Sequence, residues 1–124
     1  MVTIDDIKNG LTKYFDNEIV PNVLSLYDDS SFKHFIKPVV GTILALYVKK
    51  VEAIYETYRN NPLITFTGII DDEGNIDLDM FLNEYEKHIE DIIFTKDTKI
   101  GEISFNKEDL NKLKEYINNV SRRK

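Results

Sequence analysis

The run PVVGTILALYV, from Pro38 to Val48, contains no charged residue, with Lys37 before it and Lys49 and Lys50 after it. A bilayer-spanning helix needs about 20 apolar residues, so this run is too short to cross a membrane and reads as a buried helix. Val40, Leu44, Tyr47, Val51, Ile54 and Tyr58 form one stripe at helical spacing, which predicts a long helix from Pro38 to Asn60. Its first three turns are apolar on almost every side, so they must be surrounded by the rest of the domain or by another copy of the chain. Gly41 and Ala45, four residues apart, would let a second helix approach closely. The central-core reading comes first and an oligomer contact second. On the second reading the candidate interface residues are Val39, Val40, Gly41, Leu44, Ala45, Tyr47, Tyr55 and Tyr58, the tyrosines because their polar tips suit a contact that is partly wet.

The other segments supply elements to pack around that helix. Thr3 followed by Asp6 fits a capping box, and Ile7, Leu11 and Phe15 repeat every four residues, which predicts a helix over about 4–16. Pro21 suits the start of a second short helix, which DDSS at 28–31 breaks. Ser30 or Ser31 can cap a turn carrying Phe32, Phe35 and Ile36, and Pro38 predicts a kink or restart. Asn60, Asn61 and Pro62 close the long helix, and 62–70 reads either as a helical turn or as an extended segment. Asp77 caps a helix over about 78–91 with Phe81, Leu82, Tyr85 and Ile89 inward. IIFT and EISF around KDTKIG suggest a hairpin, with Gly101 as a bulge that brings Ile100 into step with Ile103 and Phe105. Asn106 caps a last helix, Asp109 completes its box, and Leu110, Leu113 and Ile117 face inward. The expected fold is α+β and predominantly helical, with about five helices, a long central helix and a small antiparallel β-element towards the C-terminal half. Residues 1–124 read as a single domain: a helical half, 1–61, and then an acidic turn, helix, hairpin and helix over 62–120.

GIIDDEGNIDLDMF, residues 68–81, reads like the middle of a calcium-binding EF-hand loop. With Gly74 at loop position 6, Asp71, Glu73, Ile76 and Asp77 fall at positions 3, 5, 8 and 9. Position 1 is then Ile69 and position 12 is Met80, so both ends of the ligand set are missing. The segment reads instead as a tight turn: Gly74 supplies a positive φ, Asp71 and Asp72 start the turn, and Ile76 pairs into a small sheet. No specific metal is expected.

Catalytic and cofactor signals are equally thin. With no cysteine in the chain, disulfides, thiolate metal sites and cysteine nucleophiles are excluded. His34 and His88 lie far apart in sequence and neither sits in a ligand or acid–base motif; His34, between Phe32 and Phe35, reads as half-buried and His88 as a surface or boundary residue. None of the five glycines forms a phosphate-cradling run. Paired carboxylates are what solvated helix faces produce. No catalytic residue and no cofactor is nominated, and the chain is expected not to be an enzyme. The net charge of −6 is uneven: residues 1–61 carry 7 basic and 8 acidic side chains, residues 62–124 carry 9 and 14. That argues against nucleic-acid binding, which depends on clustered lysine and arginine. The terminal SRRK reads as a frayed tail, and MVTIDDIKNG lacks the features of a signal peptide.

GIIDDEGNIDLDMF, followed by a helix, a short hairpin and GEISFNKEDLNKLKEYI, resembles small proteins encoded by phages and prophages of low-GC Gram-positive bacteria. In these a G-I-I-D-x-x-G-N-I-D turn and helix precede a T-F-N-x-x-D-V helix. The resemblance covers roughly Pro38 to Ile117 and carries no assigned activity. It implies a place in the bacterial cytoplasm or in the virion. Two functional expectations follow. The first is a non-catalytic interaction or assembly protein, such as a virion or tail-assembly component, that packs against copies of itself or a neighbouring protein. The alternative is a small acidic inhibitor that presents carboxylates to a basic, nucleic-acid-binding host protein, using Glu84, Glu86, Glu90 and Asp91 with Asp71, Asp72 and Glu73.

Overall fold

The computed structural model describes residues 1–27, 33–60, 68–96 and 99–123. It is predominantly helical, with one small antiparallel sheet. The elements run α1 (Ile4–Tyr14), a π-helical turn (Phe15–Ile19), α2 (Val20–Ser25), α3 (Lys33–Asn60), α4 (Leu78–Lys87), β1 (Ile92–Lys96), β2 (Lys99–Ile103) and α5 (Lys107–Arg122).

The caps fall where the sequence puts them. The Thr3 hydroxyl accepts from the Asp6 N–H at 3.3 Å, and the Asp6 carboxylate accepts from the Thr3 N–H at 2.9 Å. That reciprocal pair lets Asp6 lie buried in the first turn of α1. Asp77 accepts from the Met80 N–H and opens α4, and Asn106 accepts from the Asp109 N–H and opens α5. Asp109 does not complete a box: its carboxylate takes the Ser104 hydroxyl, 3.2 Å away, because Ser104 reaches the same helix start from β2.

Three boundaries differ from expectation. First, α1 ends at Tyr14 and α2 starts at Val20 beside Pro21, close to expectation, but no break separates them. The backbone stays helical through a π turn, in which the Val20 N–H donates to the Phe15 carbonyl five residues back, and Pro21 lies in the first turn of α2. Second, α3 passes through Pro38 without restarting. Pro38 lacks the N–H that would bond the His34 carbonyl, but the loss falls near the helix start and about six docked turns follow it. Third, α4 ends at Lys87 rather than near 91, because the Tyr47 hydroxyl of α3 donates to the Glu90 carbonyl at 3.0 Å and holds the departing chain against the core. The expected cap at Ser30 or Ser31, and the choice of helix or strand for 62–67, lie outside the described residues.

The two strands pair one to one, Ile92 with Ile103 through Lys96 with Lys99, so Gly101 is no bulge. None is needed, since Phe105 enters the core from beyond the end of β2 and its burial does not depend on the ladder register. Ile103 faces inward, while Glu102 and its partner Ile93 face out.

Helices α1 and α5 make the most extensive helix pair, and α3 lies across α1, α2 and α4. Gly10 is what lets α1 and α5 touch: a Cβ there would stand 2.5 Å from Ile117 Cγ1 and 2.7 Å from Ile117 Cα. In the middle of the core Phe105 meets Tyr14, Tyr47 and Tyr85 at ring-centroid distances of 5.8, 5.5 and 6.0 Å. Offset and edge contacts of this kind each add about 1 kcal/mol to the burial itself. The Tyr85 hydroxyl donates to the Tyr47 carbonyl at 2.9 Å, so these rings are fixed in place as well as buried.

Candidate interaction surface

The acidic stretch after α3 is organised by its own backbone. Asp71 Oδ1 accepts from the N–H groups of Glu73 (2.9 Å) and Asn75 (2.8 Å), and Oδ2 accepts from Asn75 Nδ2 at 3.1 Å. These bonds, the Asn75 amide first, hold the Asp71 carboxyl below its usual range. Gly74 closes the turn at φ +85°. Ile76 then bridges both Ile70 and Val2. Arg59, in the last turn of α3, donates to the carbonyls of Asp71 and Asp72 at 2.9 and 2.8 Å. Asp77, the remaining loop carboxylate of interest, caps α4. The carboxylate of Asp71 therefore shapes the turn. Among the described residues no three acidic or histidine side chains converge in a way that would hold a metal ion.

The eight candidate interface residues separate into three groups. Val40 and Tyr47 belong to the chain's own core, at 1% and 5% exposure, so neither is presented to a partner. Leu44, Tyr55 and Tyr58 are half-buried. The Tyr58 hydroxyl bonds Glu84 of α4, and the Tyr55 hydroxyl stands against Gly74, so both tyrosines knit α3 to the following segment. Val39, Gly41 and Ala45 are exposed, Gly41 about 160° round α3 from Val39, and the space over Gly41 is open.

The outer flank on which Val39 lies carries apolar residues the spacing rule passed over. Phe35 is 68% exposed, Val39 45% and Leu46 54%. With Thr42 they follow the 4-3-4 spacing 35, 39, 42, 46, which keeps them within about 60° of one another on a helix of 3.6 residues per turn. The buried stripe of Val40, Ile43, Tyr47, Val51 and Ile54 lies roughly a third of a turn away. The sequence showed a helix apolar all round; the missed signal was that one helix can carry two stripes, only one of them needed by the core.

Beside Leu46 the outer face opens into a groove of about 560 Å³ between α3 and the α4–β1 connection, lined in part by Lys49, Lys50, Ala53, His88, Ile89 and Ile92. Glu90 and Asp91 stand at its edge, and Glu86 and Glu102 lie close by around Asp91, so this corner is acidic. The start of α3 is the opposite: Lys33 and Lys37 occupy it, and its first turn holds no acidic residue. Both histidines are exposed, His34 included, because Phe35 beside it points to solvent and offers no pocket.

The clearest shifts among titratable groups are upward, at the tyrosines. Burial, followed by nearby acidic charge, raises Tyr14, and burial followed by Asp91 raises Tyr47 to about 12. Burial likewise raises Tyr85. The Tyr47 and Tyr85 phenols, held neutral and hydrogen-bonded to backbone carbonyls, serve packing. Among the described residues no helix is long and apolar enough to cross a membrane. Comparisons with protein-family models, with curated proteins and with solved structures gave no match.

Proposed function

We propose that this chain is a non-catalytic interaction protein that self-associates through the outer face of α3. The observation that carries the reading is the exposed row Phe35, Val39 and Leu46, set beside an apolar-floored groove on a helix whose other side is already occupied by the core. Scattered exposed apolar residues are ordinary on a monomer; a row at fixed helical spacing beside a groove is the pattern of a docking face. The resemblance of residues 38–117 to small phage-encoded proteins fits a virion or tail-assembly component, present in the host cytoplasm or in the particle. The test is solution mass by light scattering over a concentration series. Mass should rise towards a multiple of the 14.5 kDa chain, and a constant monomer mass at high micromolar concentration overturns the reading.

The acidic corner of Glu86, Glu90, Asp91 and Glu102 favours a second reading, an acidic inhibitor of a basic host protein. Such binding is steered by charge and weakens steeply with salt. Partners retained unchanged in molar salt count against it.

A further inference from the structure

We infer that the groove between α3 and the α4–β1 connection binds a single-chain amphiphilic carboxylate, with its head between Lys50 and His88 and its hydrocarbon tail over Leu46, Ile89 and Ile92. The groove has two compartments. The larger is the cavity of about 560 Å³ beside Leu46, and a smaller one of about 240 Å³ continues it past Ile54 towards Tyr58. Lys50, Ala53 and His88 line both, so the two form one channel with these residues at its waist. On α3 the channel follows Leu46, Lys50, Ala53 and Thr57, whose 4-3-4 spacing keeps them within about 60° of one another over about 16 Å. Lys50 is the only charged member of that row.

Charge differs between the compartments and sets the direction of the ligand. The smaller one is lined by Lys50 and His88 and by no acidic residue. Among the described residues no ion pair engages Lys50, and Glu52, two residues on, is held by Lys8 at 3.1 Å. Glu84, near enough to His88 to feel its charge, is already bonded by Lys87 at 3.1 Å and by the Tyr58 hydroxyl. The Thr57 hydroxyl donates to the Ala53 carbonyl at 2.9 Å. An anion entering there meets the Lys50 ammonium and an imidazole N–H, with no free carboxylate competing for them. In the larger compartment Glu90 and Asp91 outweigh Lys49 at the rim, while Leu46, Ile89 and Ile92 supply apolar surface. A carboxylate head is repelled from that end, and a hydrocarbon chain is accepted there because it covers the half-buried Ile89 and Ile92. A simple inorganic anion would leave that surface wet, and a neutral hydrocarbon would leave Lys50 without a counter-charge. Phe35 and Val39 lie outside the channel, so the site stands whether or not the chain self-associates.

The test is titration calorimetry of the full-length chain with sodium dodecanoate below its micelle concentration. It should show one saturable site with a dissociation constant on the order of 0.1 mM. Decanoate and octanoate should bind more weakly, by up to about fourfold for each methylene removed, and amide shifts in NMR spectra should centre on Lys50 and residues 88–92. Lys50→Glu should weaken dodecanoate binding by at least about tenfold with native circular dichroism, and Lys50→Arg should retain it. Lys112→Glu, the same charge change at an exposed site on α5, should leave binding as it is. No saturable uptake at millimolar dodecanoate, equal loss in Lys50→Glu and Lys112→Glu, or acetate bound as tightly as dodecanoate overturns the inference. Solution mass without ligand decides self-association separately.

Discussion

Helices α5 and α3 each lay one face on the core, but they treat the rest of their surface differently. On α5, Leu113 and Ile117 are buried and the far side shows Asn111, Lys112, Glu115 and Asn119 to solvent. On α3, Val40, Tyr47 and Val51 are buried and the flank about a third of a turn away shows Phe35, Val39 and Leu46. The first pattern is complete within one chain, because every apolar group has a neighbour and every outward group is content in water. The second leaves apolar surface that folding of the single chain does not use. A helix that needed only to fold would gain solubility from polar residues there, so the outer face of α3 reports something other than the stability of the domain.

The sharpest way to break this contrast is at the α1–α5 contact. Gly10→Ala puts a methyl group into Ile117, and since the Ile117 backbone is among the atoms struck, a rotamer change cannot relieve it. The two helices must separate, at an expected cost of about 3 kcal/mol, to be read from urea midpoints. If the variant is as stable as wild type, α5 is not locked to its neighbour and the contrast with α3 loses one side.

Alkali probes the buried face of α3 in the same spirit. Tyr47 titrates near 10 when unfolded and about 12 when folded, so its contribution to stability is complete below pH 10 and disappears as the pH climbs through 12. Tyr14 and Tyr85 are displaced in the same direction. Helix circular dichroism and the tyrosinate absorbance of these rings should therefore change together above pH 10. Separate transitions would mean that these rings ionise without unfolding the chain.

A smaller effect is expected at the turn gripped by Arg59. Asp71 has a lowered pKa in the fold, so its contribution is present above the ordinary value of 3.8 and is lost as the pH falls through the lower folded value. Asp71→Asn keeps an acceptor for the Glu73 and Asn75 amides and should mainly remove this acid sensitivity. Asp71→Ala should also speed hydrogen exchange at those two amides. Equal exchange rates in the two variants would show that the carboxylate does not hold the turn.

The smallest change should come from the outer face itself. Phe35→Ser combined with Leu46→Gln is expected to shift the unfolding free energy of the monomer by no more than about 0.5 kcal/mol in dilute solution, where association is negligible. A large loss would place these side chains inside the folding unit after all.

Local chemistry made much of the fold legible. Thr3, Asp77 and Asn106 mark helix starts through hydrogen bonds within three residues, Gly74 marks a turn through its own φ, and the hairpin follows from two β-rich runs. Features set by distant partners were not legible. Arg59 reaches a loop twelve residues on, Tyr47 ends α4 from another helix, and Gly10 is small because of Ile117. A glycine in the middle of an otherwise regular helix is a hint of close packing, though it does not say against what. The candidate surface was half legible: apolarity around α3 was plain, and which residues face outward was not, because that depends on where α1, α2 and α4 dock. Pro21 marked the start of α2 correctly, while the helix restart expected at Pro38 was overridden, since a local preference of a few kcal/mol yields to a long docked helix.

The π turn after α1 has an effect on phase. On an unbroken α-helix Val23 would sit about 160° round from Ile7, facing away from the core. The slack of one extra residue at Phe15–Ile19 takes back about 100° of that, and Ile7, Leu11, Phe15, Ile19 and Val23 are all buried. Deleting one residue there would leave Val23 about 60° round from Ile7 on a regular α-helix, the same phase as the π turn gives, whereas winding all the residues into α-helix would turn the greasy side of the second half to water.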